Sequence, residues 1–368
     1  MATKIGFVVN PIAGMGGRVA LKGTDGTEAR DEAVRRGAVA WSPGRARRAL
    51  KALLAKRLDL DILTCSDEMG ELLLDEEGFQ PEVVCHAAPE TTAEDTKRAA
   101  RAFLERGADL LLFCGGDGTA KDIVEVVDSR VPIVGIPAGV KMHSSVFAVR
   151  PEEAADLVES YVRTGKTRDA EVMDIDENDF RRGISNPRLF ALALVPDDER
   201  HLQASKSAFQ SLTASDEAEE LAVYVVETMK SGVLYIIGPG STTQAIAMEM
   251  AQDKTPLGVD AYLDRELVAQ DLSENDILAQ IRRHPEAVII VTPIGAQGFI
   301  FGRGNQQISS EVIREVGLEN IIVVATPTKL NGTATLRVDT GDSALDVSLR
   351  KPLKILTGYR RRKLVGVV

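Results

Sequence analysis

Short apolar runs alternate with helical patterns through the first half of the sequence. The runs with the length of buried strands are residues 5–9, 61–64, 82–85, 110–114 and 131–136. The helical patterns between and after them are residues 45–58, 92–106, 119–128 and 152–163. Strands that alternate with helices in this way predict a parallel sheet covered on both faces, and therefore an α/β fold class.

Ligands of parallel sheets bind at the carboxyl ends of the strands, so the loops that follow the strands matter most. Three of these loops are rich in glycine and polar residues: 10–17, 115–119 and 137–144. Glycines let the backbone approach a ligand and expose its N–H groups, and a following helix presents its positive end to phosphate. The predicted phosphate-binding residues are Asn10, Gly14, Gly16, Gly17, Gly115, Gly116, Gly118, Thr119, Gly139 and Lys141.

Asp117 lies in the middle of the glycine turn Gly115-Gly116-Asp117-Gly118-Thr119. A carboxylate beside phosphate is repulsive unless it helps to hold Mg²⁺ or takes a proton from an attacking hydroxyl. Asp117 is therefore the candidate catalytic residue and the candidate Mg²⁺ ligand, together with substrate phosphates. The alternative is an ordinary strand-to-helix turn in which Asp117 caps the helix.

The second half of the sequence predicts another unit. Its strand-like runs are 189–195, 233–237, 287–291, 321–325 and 335–338, and its helical runs are 217–230, 242–252 and 273–284. We therefore predict a first domain over 1–168 and a second over 169–352, with the strand-like tail 353–368 returning to the first domain as one interpretation. Residues 18–44 show little periodicity, which is typical either of a lid or of a disordered insertion.

Composition restricts the partners. A net charge of −11 argues against sequence-independent binding to nucleic acid and against an anionic membrane surface. Three cysteines without a CxxC spacing predict a reducing, cytoplasmic setting, and the sequence has no apolar run long enough for a membrane span. The expected partners are small-molecule substrates and a second copy of the chain in a homo-oligomer.

The glycine loops resemble the superfamily of NAD kinases, diacylglycerol kinases and sphingosine kinases. The turn 115–119 is similar to its shared GGDGT signature, and Asn10-Pro11 resembles the opening of its lipid-kinase branch. Segments 238–242, 292–295 and 301–307 resemble the ATP-NAD kinase family, including the AcoX-like group. The resemblance implies a Rossmann-like parallel-sheet domain, a β-rich second domain, and an active site in the cleft between them. It also implies that the GGDGT loop contacts ATP phosphates and that its Asp is essential.

The sequence indicates the class of reaction more clearly than it indicates the molecule that accepts the phosphoryl group. Candidate acceptor-binding residues are His143, Gly240, Ser241, Thr242, Arg303, Asn305 and Gln306. The alternative for residues 240–242 is a plain helix cap, and for 303–306 a solvated turn. The sequence has no clear counterpart of the Asn-Glu pair that grips the dinucleotide in well-studied NAD kinases.

These observations predict a kinase that uses ATP, or polyphosphate, and Mg²⁺ to phosphorylate a hydroxyl of NAD, giving NADP. A small alcohol or polyol is the alternative acceptor. The alternative from another class is a non-catalytic nucleotide-binding regulatory protein, although such a protein would not need Asp117.

Overall fold

The computed structural model describes residues 2–21, 27–139, 142–174, 188–198, 200–202, 212–294, 297–331, 333 and 335–368. These residues form two compact units. The first unit contains residues 2–15 and the described residues from 39 to 202, and the second contains the described residues of 16–38 and of 212–368.

The first unit is built on a parallel five-stranded sheet with the strand order β3-β2-β1-β4-β5. Its strands are β1 Thr3–Val9, β2 Leu60–Cys65, β3 Glu82–Cys85, β4 Leu110–Gly115 and β5 Ile133–Pro137, followed by β6 Thr167–Asp174 and β7 Arg188–Pro196. Its helices are α2 Ser42–Ala55, α3 Glu71–Glu76, α4 Ala93–Glu105, α5 Asp117–Val127 and α6 Glu153–Thr164. A further helix, α1 Thr27–Arg35, belongs to the second unit. The parallel sheet predicted from the sequence is confirmed.

Local sequence accounts for these elements. Strand β4 is buried along its whole length, as its continuous apolar run requires in a sheet covered on both faces. Helix α4 begins with a capping box in which the Asp95 side chain accepts a hydrogen bond from the Thr92 backbone N–H at 2.8 Å. This arrangement confirms the predicted start of that helix.

Strands β6 and β7 form an antiparallel ribbon that packs on the core of the first unit. Val172, Ala193 and Val195 are among its buried core residues. The first unit therefore extends past the predicted boundary at residue 168, because the apolar face of this ribbon is buried against the first core rather than the second.

The second unit has a mixed five-stranded sheet with the order β10-β9-β8-β11-β13, in which β8, β11 and β13 are parallel. Its strands are β8 Leu234–Ile237, β9 Asp260–Leu263, β10 Glu266–Ala269, β11 Ala287–Val291, β12 Phe299–Phe301, β13 Ile321–Val323, β14 Arg337–Val338, β15 Leu353–Gly358 and β16 Arg361–Val365. Its other helices are α7 Leu212–Thr228, α8 Ser241–Glu249, α9 Glu274–Arg283, α10 Ser310–Val316, α11 Pro327–Asn331 and α12 Ser343–Leu349.

The chain's last two strands belong to the second unit. Strands β15 and β16 pair with each other, and Ile355, Val365 and Val367 are buried in a core cluster of that unit. Bridges join Val324 to Leu356 and Leu336 to Val367. The structure thus corrects the interpretation that residues 353–368 return to the first domain, because these apolar side chains complete the second core.

Helix α1 lies within the segment 18–44, for which a lid and a disordered insertion were the two interpretations. Residues 22–26 of that segment lie outside the described residues. The described part of the chain contains no helix long and apolar enough to cross a membrane.

Candidate active site

The predicted loops meet at one edge of the first sheet. Strand β1 pairs with β4 up to Val9 and Cys114, and β4 pairs with β5 up to Gly115 and Pro137. The carboxyl ends of the three strands are therefore neighbours. The backbone extends this contact beyond the strands, since Asn10 N–H donates to the Cys114 carbonyl at 2.9 Å.

Two close approaches explain why glycine occupies these loops. Gly14 has a φ of +80°, and a Cβ on it would lie 2.2 Å from the Ala138 carbonyl oxygen. A Cβ on Gly139 would lie 3.0 Å from the Gly116 Cα. The structure thus brings Gly14, Gly116 and Gly139 together, and a side chain at any of them would push the loops apart.

Gly16 and Gly17 fall in the second unit, and their predicted contact with phosphate stays a prediction. A Cβ on Gly17 would lie 2.7 Å from the Gln306 Oε1 atom, so Gly17 packs against that side chain. Lys141 lies outside the described residues.

Asn10 ties the first loop to the glycine turn. Its Nδ2 group donates to Thr119 Oγ1 at 3.0 Å, and its Oδ1 accepts from the Ile12 backbone N–H at 3.2 Å. Thr119 is buried, and it lies so close to Gly115 that a Cβ there would be 2.4 Å from its hydroxyl oxygen. Both side chains therefore fix the loop geometry, and the Thr119 hydroxyl keeps a proton that it can donate.

Helix α5 begins at Asp117, two residues before the predicted start, with Gly116 as its N-cap. The Asp117 carboxylate belongs to the first residue of this helix. It accepts hydrogen bonds from the backbone N–H groups of His143 at 2.7 Å and Ser144 at 3.0 Å. These contacts place the partly exposed carboxylate between the turn and the loop after β5.

The residues that hold Asp117 are themselves buried. His143 and Ser144 are 2 % and 0 % exposed, and Ser144 Oγ accepts from the Met173 backbone N–H at 3.0 Å. The loop after β5 is thus fastened to β6 as well as to Asp117. His143 is buried beside Asp117, and its predicted contact with the acceptor stays a prediction.

Sequence reasoning did not single out Trp41 and Arg45, which also lie at this edge. The backbone N–H groups of Trp41 and Ser42 both donate to the Ala13 carbonyl at 3.3 Å, so the start of α2 is attached to the glycine loop. The Arg45 guanidinium stacks over the Trp41 ring at 4.6 Å and is only 4 % exposed. The sequence feature that could have identified Arg45 is its position as an arginine within the apolar stripe of a helix.

Cys114 is next to the glycine turn but is not a candidate nucleophile. Its thiol donates to the Ser42 carbonyl at 3.4 Å, and burial raises its pKa to about 12. The neutral thiol therefore acts as a small apolar side chain at neutral pH.

The predicted acceptor-binding residues of the second unit lie in two segments, at the start of α8 and in the turn after β12. Gly240 is the N-cap of α8, Ser241 is exposed and Thr242 is 2 % exposed. Arg303 and Asn305 are buried in the turn after β12.

The side chains of this turn hold its own backbone. The Asn305 amide donates to the Ile300 carbonyl at 2.8 Å and accepts from the Gly302 N–H at 3.2 Å. Arg303 lies 3.6 Å from the Asp339 carboxylate and stacks over Phe299. These contacts correct the interpretation of a solvated turn, and the acceptor roles of Arg303, Asn305 and Gln306 stay predictions.

Two family models match the sequence. The ATP-NAD kinase N-terminal domain matches residues 5–166, and the ATP-NAD kinase C-terminal domain matches residues 230–367. The chain belongs to the ATP-NAD kinase family. The family resemblance drawn from the glycine loops is confirmed. No curated protein matches the sequence.

Solved structures show only distant similarity to this chain. A proposed diacylglycerol kinase from Bacillus anthracis str. Sterne is 18% identical, with 45% of this chain and 44% of that chain covered and a TM-score of 0.25. The S. aureus MnaA–UDP complex is 10% identical, with 98% and 81% covered and a TM-score of 0.30. The chain spans less than half the length of the two Bacillus anthracis chains it matches. The assignment to the ATP-NAD kinase family depends on the two family models.

Proposed function

We propose that this protein is an ATP-dependent kinase that transfers the γ-phosphoryl group of ATP to a hydroxyl of NAD, giving NADP. The observation that carries the proposal is the position of Asp117. Asp117 lies on the glycine turn beside Gly14 and Gly139, where the backbone can approach phosphates closely. Its carboxylate is held there by the backbone amides of His143 and Ser144. Phosphoryl transfer depends mainly on positioning and charge stabilisation, and a fixed carboxylate on a glycine turn suits both needs.

In the proposed reaction the acceptor oxygen forms a bond to the γ-phosphorus while the bond from that phosphorus to the bridging oxygen of ADP breaks. Asp117 orients the acceptor hydroxyl and takes its proton. The N-terminus of α5 and the amides of the glycine turn face the phosphates, and Gly14, Gly116 and Gly139 leave room for them.

The residues fit Mg²⁺ only together with substrate phosphates. Among the described residues, no group of three or more His, Cys, Asp or Glu side chains could hold a metal ion alone. Mg²⁺ is commonly bound by one or two carboxylates and by phosphate oxygens, and Asp117 is the acid of the glycine turn. When bound there, Mg²⁺ would neutralise charge on the transferring phosphoryl group.

NAD is proposed as acceptor on the strength of the family, whereas a small alcohol or polyol is favoured by the lack of a clear Asn-Glu pair in the sequence. Residues 240–242 in the second unit and His143 are the proposed acceptor contacts.

The experiment compares acceptors with purified protein, Mg-ATP and either NAD or a panel of polyols, and measures ADP release. Polyphosphate replaces ATP in a parallel series. The proposal expects ATP turnover that depends on NAD. Turnover stimulated by a polyol but not by NAD would contradict the acceptor, and NAD-independent ADP release would contradict transfer.

A further inference from the structure

The second unit has its own set of parallel strand ends. Strand β8 pairs with β11 up to Ile237 and Ile290, and β11 pairs with β13 up to Val291 and Val323. The segments that follow are Gly238-Pro239-Gly240, Thr292-Pro293 and Val324–Pro327. Three carboxyl ends of parallel strands thus meet at one edge here, which is where ligands bind in such sheets.

Lys329, in α11 after β13, provides the positive charge at this edge. Its Nζ donates to Thr292 Oγ1 at 3.0 Å, and its backbone N–H donates to Thr326 Oγ1 at 3.2 Å. Part of the Lys329 side chain remains accessible, but its amine is closely surrounded by protein, and this burial lowers its pKa to about 8. Most of the amine is still protonated at pH 7.

No ion pair joins Lys329 to an acid anywhere in the described part of the chain. Glu217, on α7, uses its carboxylate to accept the Thr328 backbone N–H at 3.0 Å and forms no ion pair with the Lys329 amine. Buried charges in proteins are normally paired, because an unpaired one is costly. An enclosed ammonium group without a counter-charge therefore points to an anion that comes from outside the chain.

The surrounding groups are mostly donors. An ammonium group has three N–H donors, and one is used on Thr292. Because the Thr292 oxygen accepts that bond, its own hydroxyl proton points elsewhere. A Cβ on Gly240 would lie 2.5 Å from Thr292 Cγ2, so the N-cap of α8 is in contact with the same threonine. The first amides of that nine-residue helix add further donors and a positive dipole end.

We propose that Lys329, Thr292 and the N-terminus of α8 form an anion-binding site in the second unit, for a phosphate or pyrophosphate group of a substrate. The proposal extends the role assigned to residues 240–242 and does not depend on NAD being the acceptor. Both ATP and NAD carry such a group, so either molecule could occupy the site. The experiment below distinguishes between them.

The first test measures the accessibility of the Lys329 amine directly. Intact protein is acylated at pH 8 with inorganic pyrophosphate, ADP, NAD or adenosine present, and each lysine is quantified by peptide mass spectrometry. At ten times Kd the Lys329 labelling rate should fall about tenfold with a bound anion, and adenosine should not protect. Exposed Lys351 is the internal control, whose rate should not change.

Protection by pyrophosphate and ADP would support the site as one for ATP phosphates, and protection by NAD alone would support an acceptor site. No protection by any of the three anions would overturn the proposal. These outcomes are independent of turnover, so a failure of the NAD kinase activity would not be confused with a failure of the site.

The second test uses Lys329→Met, which keeps the length of the side chain and removes its charge. Calorimetric affinity for the protecting anion should fall roughly 10- to 100-fold, since the variant loses a charged hydrogen bond. Thermal unfolding should show a stability equal to or above that of the wild type. If the amine resists acylation, calorimetry decides alone: unchanged affinity for pyrophosphate, ADP and NAD would overturn the proposal. Lys351→Met is the matched control and should leave all three affinities unchanged.

Discussion

Replacing Asp117 by Asn separates the catalytic role of the carboxylate from its structural one. The wild-type carboxylate accepts hydrogen bonds from the His143 and Ser144 amides with two different oxygens. The Asn side chain has one oxygen and one NH₂ group, so one of the two amides would face a donor. Leaving a partly buried donor unsatisfied costs about 1–3 kcal/mol.

For a loss of about 2 kcal/mol in a unit of this size, the Tm should fall by roughly 4–8 °C. Turnover should fall by about 10²-fold or more, the scale of losing general-base or metal support, while ATP affinity changes less. The assays are differential scanning calorimetry, steady-state turnover and ATP titration on the same preparation. Asp122→Asn, an identical change on the same helix, is the control and should leave turnover near normal.

Two results would refute this reasoning separately. Near-normal turnover in the Asp117→Asn variant would remove Asp117 from catalysis. An unchanged Tm would show that the two amide bonds do not hold the loop after β5.

Three further predictions concern packing and charge. Gly14→Ala should weaken ATP binding about tenfold or more and destabilise the protein, because the new Cβ would collide with the Ala138 carbonyl oxygen. Gly37 has a similar φ of +76°, but a Cβ there would have no atom within 4 Å. Gly37→Ala is therefore the control, and calorimetry should show only the backbone cost of about 1 kcal/mol. Lys254→Met should destabilise the second unit by about 3–5 kcal/mol in urea unfolding, since it leaves the fully buried Asp260 carboxylate without its ion-pair partner; a loss under 1 kcal/mol would contradict this. Lys329→Met should raise the free energy of unfolding by roughly 1–3 kcal/mol below about pH 8, where the wild-type protein carries a buried, charged Lys329 amine. The gain should vanish as the pH approaches 10.5, the ordinary pKa of lysine, because the wild-type amine is then neutral. A gain that does not depend on pH would contradict a buried charge at Lys329.

The sequence predicted the sheet edge of the first unit because its signals are local. Continuous apolar runs identified β1, β4 and β5, and parallel pairing follows from the helices between them. Glycines at 14, 116 and 139 marked the loops where backbone approaches backbone. The capping box at Thr92 is likewise a short-range pattern that can be read without tertiary structure.

The contacts of Asp117 depend on long-range packing and could not be predicted. Its partners, His143 and Ser144, are 26 and 27 residues away along the chain. Arg45 reaches the same edge only because α2 starts against the glycine loop. The tail 353–368 has the same strand pattern whichever core it joins, and only the burial of Ile355 and Val365 assigns it to the second unit.

The most direct test of the proposed function is the formation of NADP from NAD. Purified protein is incubated with Mg-ATP and NAD, and NADP is measured with an NADP-specific dehydrogenase, alongside Asp117→Asn and Asp122→Asn. NADP should accumulate in step with ADP for the wild type and the Asp122 variant, and more slowly, by about 10²-fold or more, for the Asp117 variant, as expected for the loss of a general base. ADP that appears without NADP, or NADP formed equally fast without the Asp117 carboxylate, would contradict it.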